Sequence, residues 1–410
     1  MPMTKLNTNN TSPYLIHKGT YAKLIKYVLP RVETFTLSNG WNDDKALAFT
    51  NAVEEVVNQN PILTSHLVWE KNALYACPGT FTSNSSFVTV EEDLSVDVEA
   101  FGSHNARWRF INEQLTHKVG AARKTTAAND IKAKRPLFHA YLFKFANGHA
   151  CYYISMSHAL VDARTYYHII EQISSFMNTG HIVSKINWGN LDLTTLETFQ
   201  DHYNKRDIRR LGFLPLMIGF LRSGKRKHNH LWILDRDELS RLKKDQVDPE
   251  MNEFLSSHDI IMSTLCKLIR SSDEVVITMD HRERCPSFGA YDGGNCLKQW
   301  AIPCDVGCNP NAIRKAVNKG FYYGANEVDG KAKLRGRVLY STSWVTGYKS
   351  IEGINTICHS PSVHFVRDIP ADTCILFPID NASFGLLHNF RKVDHKALAK
   401  IDWIKEESCF

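Results

Sequence analysis

The sequence predicts an α/β (α+β) chain folded as two sandwiches of similar size, and three observations lead there. At 410 residues the chain exceeds the roughly 250–300 at which a single core stops growing, so two domains are expected. Segments with helix and strand periodicity are interleaved in both halves, the pattern of layered α/β structure. Between them, residues 196–235 lose that patterning and read as a charged stretch, a short apolar run and a basic cluster. The expected organisation is an N-terminal domain at 1–195, a crossover linker at 196–235 and a C-terminal domain at 236–410.

The elements follow in order. Asp43 and Asp44 open a helix whose Ala46, Phe49, Val53, Val56 and Val57 share one face, and Asn60-Pro61 ends it because proline cannot continue a helix. A strand is predicted from Ile62 to Trp69. Two β-rich runs, beginning at Pro136 and at His149, flank Asn147-Gly148, a strong short hairpin signal. That hairpin puts His158 at the exit of an inner strand. Tyr166, Ile169, Ile170, Ile173, Phe176 and Met177 then recur at helical spacing. In the second half Ser256 to Asp259 caps a helix running through Ile269, followed by strands at Val275–Met279 and Arg337–Trp344. A hairpin region extends to 378, and the last helix is predicted from Asp394 to Ile404. The two halves share no sequence repeat.

Composition narrows the function. Hydrophobic residues at 43%, charged at 22% and aromatic at 11% describe a globular chain able to bury a large core and a deep pocket. A net charge of +6 favours an anionic ligand such as a coenzyme phosphate. No dense Lys/Arg run is interleaved with aromatics, which argues against nucleic acid. The ten cysteines include no Cys-x-x-Cys, and Cys304 and Cys308 lack the further ligands of a zinc site, so no metal is expected and the thiols are read as free. The first thirty residues show no secretory signal, which makes the cytoplasm the default. Leu211 to Leu221 is too short for the ~20 residues that span a bilayer. It reads either as a buried crossover or, with the basic flank to 227, as a weak membrane-surface contact.

The chemistry concentrates at Ser155-Met-Ser-His-Ala-Leu-Val-Asp162. With 18 His, about one His-x-x-x-Asp is expected by chance from average composition, so the spacing of His158 and Asp162 proves nothing alone. A histidine at a strand exit has the intrinsic pKa, near 6.5, of a general base. It is equally a place for a core histidine beside a loop-capping aspartate.

Four segments in the same order resemble the chloramphenicol-acetyltransferase-like superfamily, most closely its BAHD branch of acyl-CoA-dependent acyltransferases. Asn58 to Leu67 looks like the opening shared with peptide-synthetase condensation domains. Pro136 to Ser174 looks like the family's hairpin, His-x-x-x-Asp loop and helix. Asp280 to Asn295 is similar to its Arg-x-Arg stretch ending in Gly-Asn, and Ser341-Thr-Ser-Trp344 to its Thr-Ser-Trp stretch. The resemblance implies two such sandwich domains with a tunnel between them. It also implies acyl transfer from acyl-CoA, a co-substrate and not a resident cofactor, to a hydroxyl or amine of a small or lipidic acceptor. His158 would be the general base, with no acyl-enzyme. Thr342 and Trp344 would donate to the oxyanion, although a strand with one core tryptophan would read the same way. Asp162 would pair with Arg282 or, failing that, Arg284. Ser343 and Asn295 are further motif positions. A monomer is expected.

Two departures stand out. Ala163 replaces the glycine after the aspartate, and the Asp-Phe-Gly-Trp-Gly element expected after Trp344 is absent. The second departure weakens the donor assignment and keeps open a condensation-type transferase with a carrier-bound donor, or a non-catalytic member of the fold. Ser157, in place of the first histidine of a doubled His-His motif, counts against the former.

Overall fold

In the computed structural model the described residues are 13–18, 22, 26, 30–79, 87–119, 126–189, 191, 229–250, 254–269, 272, 274–282, 288–322, 338–367 and 372–409. In chain order the first half holds β1 (Tyr14–Lys18), β2 (Val32–Asn39), α1 (Asp43–Gln59), β3 (His66–Glu70), β4 (Ala73–Cys77), β5 (Val88–Asp93), β6 (Phe138–Phe145), β7 (His149–Met156) and α2 (Ala163–Thr179). The second holds β8 (His230–Asp235), α3 (Arg236–Gln246), α4 (Ser257–Leu268), β9 (Glu274–Asp280), β10 (Leu297–Pro303), α5 (Pro310–Tyr322), β11 (Val338–Ser343), β12 (Asn355–Pro361), β13 (Asp372–Pro378), β14 (Ser383–His388) and β15 (Ile404–Cys409). Two compact units result. One joins residues 1–195 with 291–295 and 349–365, and the other comprises 196–290, 296–348 and 366–410.

The first unit is built on a five-stranded sheet of order β12-β2-β7-β6-β5, beside a small sheet of order β1-β4-β3. Every residue of β7 is buried, the pattern of a strand covered on both faces. The Asn42 side chain caps α1 by accepting the Lys45 N–H at 2.9 Å, and Asp43 and Asp44 add favourable charge to its first turn. The strand expected from Ile62 starts later, at His66, because Pro61–Thr64 forms a 3-10 turn. Proline's fixed φ suits the first position of a helical turn, and the Leu63 N–H donates to Asn60 O at 2.9 Å.

β12 comes from far along the chain and is stitched in by side chains as well as by its ladder with β2. His359 lies between Thr36 Oγ1 and Tyr167 Oη, each 2.8 Å from a ring nitrogen. The Trp108 indole N–H donates to Ser360 Oγ at 2.7 Å. Burial pushes the His359 imidazole down to about 3, so it is neutral in these bonds.

The second unit has a seven-stranded sheet of order β10-β9-β11-β13-β14-β8-β15. β11 runs parallel to both β9 and β13. The capping box at α4 is complete: Ser256 Oγ accepts from the Asp259 N–H and the Asp259 carboxylate accepts from the Ser256 N–H. Arg314 Nε donates to Asp259 at 2.9 Å, tying α5 to α4. Ile261, Leu265, Val275, Ile277, Leu339, Leu376, Leu386 and Trp232 are at most 2% exposed and form the core between helices and sheet.

The helix expected from Asp394 to Ile404 is a single turn, His395–Leu398, and Ile404 opens β15. Pairing β15 with β8 satisfies backbone groups that an exposed edge would leave bare, and that long-range demand overrides the local helical pattern. Among the described residues no helix is long and apolar enough to cross a membrane. The tract 211–227 lies outside them.

Candidate active site

The segment from Ser155 to Asp162 is delivered by the β6–β7 hairpin. Asn147 (φ 58°) and Gly148 (φ 70°) take the left-handed conformation that reverses the chain. A Cβ on Gly148 would lie 3.0 Å from Trp41 O, so glycine is needed for space as well as for φ. β7 pairs residue by residue with β2 and β6 and emerges at Ser157, whose N–H donates to Leu137 O at 2.9 Å. The Leu160 and Val161 N–H groups turn back onto Ser157 O at 2.9 and 3.2 Å. This tight turn carries His158, and Asp162 follows one turn later as the N-cap of α2.

Asp162 is fully buried. Its Oδ1 accepts the Thr165 N–H at 2.8 Å, and its own N–H donates to Gly294 O at 3.3 Å. The Thr165 hydroxyl donates to the same carbonyl at 2.9 Å. The aspartate therefore serves the helix start directly and fastens it to the 291–295 segment.

That segment also fixes the histidine. Asn295 Nδ2 donates to His158 O at 2.8 Å and to Ala159 O at 3.3 Å. With its amino group so engaged, the amide presents Oδ1 to His158 Nδ1, 3.0 Å away. An acceptor there requires the proton on Nδ1, which leaves a lone pair on Nε2. The ring is 9% exposed, and Phe365 stacks on it with centroids 5.6 Å apart and planes 29° apart. Burial holds the imidazole below its ordinary pKa; the Asp162 charge, the backbone carbonyls of His158 and Val161, and Asn295 offset part of that shift. The balance favours a neutral ring at physiological pH, with a basic nitrogen.

The remaining candidates belong to the second unit. Thr342 and Ser343 are half-buried on β11, with Thr342 in register with Ile375 of β13. Trp344 is 2% exposed and its backbone N–H donates to Leu376 O at 2.8 Å. Arg282 is buried, and its guanidinium donates to Asp280 at 2.9 Å. Arg284 lies outside the described residues. Tyr152, Tyr153 and Phe288 are buried, whereas Tyr291 is exposed.

Sequence reasoning missed a buried charge cluster behind the hairpin. The Arg31 guanidinium donates to Asp130 Oδ2 at 2.9 Å, to Leu137 O at 3.0 Å and to Ser155 Oγ at 2.6 Å. Ser155 Oγ in turn donates to Glu33 at 3.0 Å. No motif spacing announces this cluster, because its members come from four separate segments.

No family profile matches the sequence, and no curated protein matches it. Solved structures do match. TRI101 of F. graminearum, complexed with coenzyme A and deoxynivalenol, is 11% identical with a TM-score of 0.62, covering 97% of this chain and 99% of its own. Vinorine synthase is 10% identical with a TM-score of 0.62, covering 98% and 96%. The first condensation domain of the calcium-dependent antibiotic synthetase, in complex with a substrate analogue, is 11% identical with a TM-score of 0.60, covering 93% and 92%. The chain thus has the two-domain chloramphenicol-acetyltransferase-like fold, which BAHD acyltransferases share with condensation domains.

Proposed function

We propose that this protein is an acyltransferase that moves an acyl group from acyl-CoA to a hydroxyl or amine of a small or lipidic acceptor. The observation that carries the reading is the bond from His158 Nδ1 to Asn295 Oδ1 at 3.0 Å, which makes Nε2 the basic nitrogen. In the proposed reaction Nε2 takes the acceptor proton as the oxygen or nitrogen attacks the thioester carbonyl. The tetrahedral intermediate collapses by breaking the C–S bond, and the imidazolium returns the proton to the leaving thiolate. No acyl-enzyme forms, and holding both substrates at one histidine supplies much of the acceleration.

The Thr342 hydroxyl and the Trp344 indole N–H are assigned to the oxyanion on the sequence resemblance, since a developing negative charge needs pre-aimed donors. Asp162 is assigned a structural role with Arg282 as its charge partner, in addition to the helix cap. Support for coenzyme A as donor carrier comes from the fold likeness to TRI101, crystallised with it, and from the net charge of +6. The likeness to a condensation domain supports a second reading, in which a carrier protein presents the acyl group.

Calorimetric titration with CoA, acetyl-CoA and longer acyl-CoAs separates the two. Micromolar binding with a chain-length preference is expected. Absence of binding to all of them would move the donor to a carrier protein or remove catalysis.

A further inference from the structure

The turn that carries His158 is gripped from two sides by residues remote in sequence. Asn295 is one side. The other is His17 on β1, whose Nε2 lies 2.8 Å from Ala159 O, 142 residues along the chain. Ala159 O accepts from both: its two lone pairs face His17 Nε2 and, at 3.3 Å, Asn295 Nδ2.

His17 reaches this position through an irregularity in its strand. In the pairing of β1 with β4, Leu15 opposes Tyr75 and His17 opposes Leu74, so Ile16 is an extra residue and the register shifts. In a regular strand, neighbours face opposite sides. Here Ile16 and His17 are both 1% exposed. The bulge turns both inward, a device strands use to re-aim a side chain. A histidine at this spot has no hydrophobic justification, because leucine would fill the same space.

Burial pushes the His17 imidazole down to about 4, with the nearby His158 ring adding to the shift. Its single proton therefore sits on Nε2, the atom facing a carbonyl. His158, by the Asn295 argument, carries its proton on Nδ1.

We infer that His17 is a positioning residue for His158: its Nε2–H anchors the Ala159 carbonyl and, opposite Asn295, fixes the turn on which the base is carried. The inference rests on the reading of His158 as the general base, but its primary test requires no substrate.

Nitrogen-15 NMR of histidine-labelled protein, with signals assigned from His158→Ala and His17→Gln spectra, reads both tautomers directly. The expected wild-type result is Nε2–H for His17 and Nδ1–H for His158. His17→Gln keeps an amide donor at the same reach and should leave the His158 signals in place. His17→Leu keeps volume without a donor and should shift or broaden the His158 signals, with circular dichroism reporting that the fold is retained. Should His17→Leu fail to fold, His17→Asn, whose amide is too short to reach, takes its place.

Where acyl-CoA is turned over, the donor-less variant should lose about 10- to 100-fold in kcat with KM within about twofold, and His17→Gln should restore most of the loss. A folded donor-less variant with unchanged His158 signals would overturn the inference, as would an Nδ1–H tautomer at His17. A wild type inactive towards acyl-CoA but showing the two opposite tautomers would overturn the acyl-transfer reading and leave the positioning role standing.

Discussion

At the residue scale, the His158 ring is 9% exposed, held below its ordinary pKa chiefly by burial, and oriented by one amide. Replacing His158 with alanine should lower acyl transfer by about 10²- to 10⁴-fold while changing the melting temperature little, because the turn is held by backbone groups of Ser157, Leu160 and Val161 and by Asn295 Nδ2 on the His158 and Ala159 carbonyls, none of which uses the ring. Comparison of kcat and of thermal melting for the two proteins checks this. Asn295→Asp gives a signed pH prediction. In the wild type, burial depresses the His158 pKa, so the proposed base should stay unprotonated through neutrality and fail only as acid protonates it. A carboxylate 3.0 Å from Nδ1 would stabilise the imidazolium, so the acid limb of the rate profile should move to higher pH. A profile that moves the other way would contradict the assignment. Thr342→Val should slow turnover without weakening donor binding; weaker binding at normal turnover would remove Thr342 from the oxyanion.

At the element scale, Asp162 caps α2, and one substitution separates that role from the proposed pairing with a buried arginine. Asparagine caps helices about as well as aspartate, whereas alanine loses about 1 kcal/mol of cap. If the carboxylate is also the partner of a buried arginine, Asp162→Asn should still cost several kcal/mol, because an unpaired buried charge is left behind. Chemical denaturation of both variants decides between these. The legible part of the sequence was the local part. α1, the β6–β7 hairpin, α2 and the capped α4 were readable because their signals lie within a few residues: the Asn60-Pro61 stop, the Asn147-Gly148 turn, the periodicity from Tyr166 to Met177 and the Ser256 to Asp259 box. The late strand start at His66 was set locally by the turn at Pro61; the other failures were decided by distant partners. The terminal segment reads as helix until the edge of β8 claims it as β15, and nothing local marks Ile16 as a bulge or Arg31 as the hub of a buried cluster. His158 and Asp162 could be found because they share one turn; the Asn295 amide that sets the tautomer lies 137 residues away.

At the scale of the whole molecule, buried neutral histidines tie stability to pH. His17 and His359 are pushed down to about 4 and about 3, and His388 well below its ordinary value, chiefly by burial. In the unfolded chain each titrates near 6.5. Stability from these groups is therefore fully present above about pH 6.5 and declines as pH falls towards the folded values, because the unfolded state binds protons first. The slope is about 1.4 kcal/mol per pH unit for each histidine. Melting curves between pH 7 and pH 5 should show a steep loss that His359→Phe makes shallower; a melting temperature independent of pH in that window would refute the account. The same scale governs function, since segments 291–295 and 349–365 return from the second half of the sequence to complete the unit that holds His158. Asn295 and Phe365 arrive by that route.

The central claim is that His158 Nε2 accepts the acceptor proton during transfer from acyl-CoA. The most direct measurement is release of free CoA thiol from an acyl-CoA, with a panel of alcohols and amines, by the wild type and by His158→Ala at matched concentration. The account predicts release that depends on a particular acceptor and falls by at least about 10²-fold in the variant. Equal release by the two proteins would contradict it.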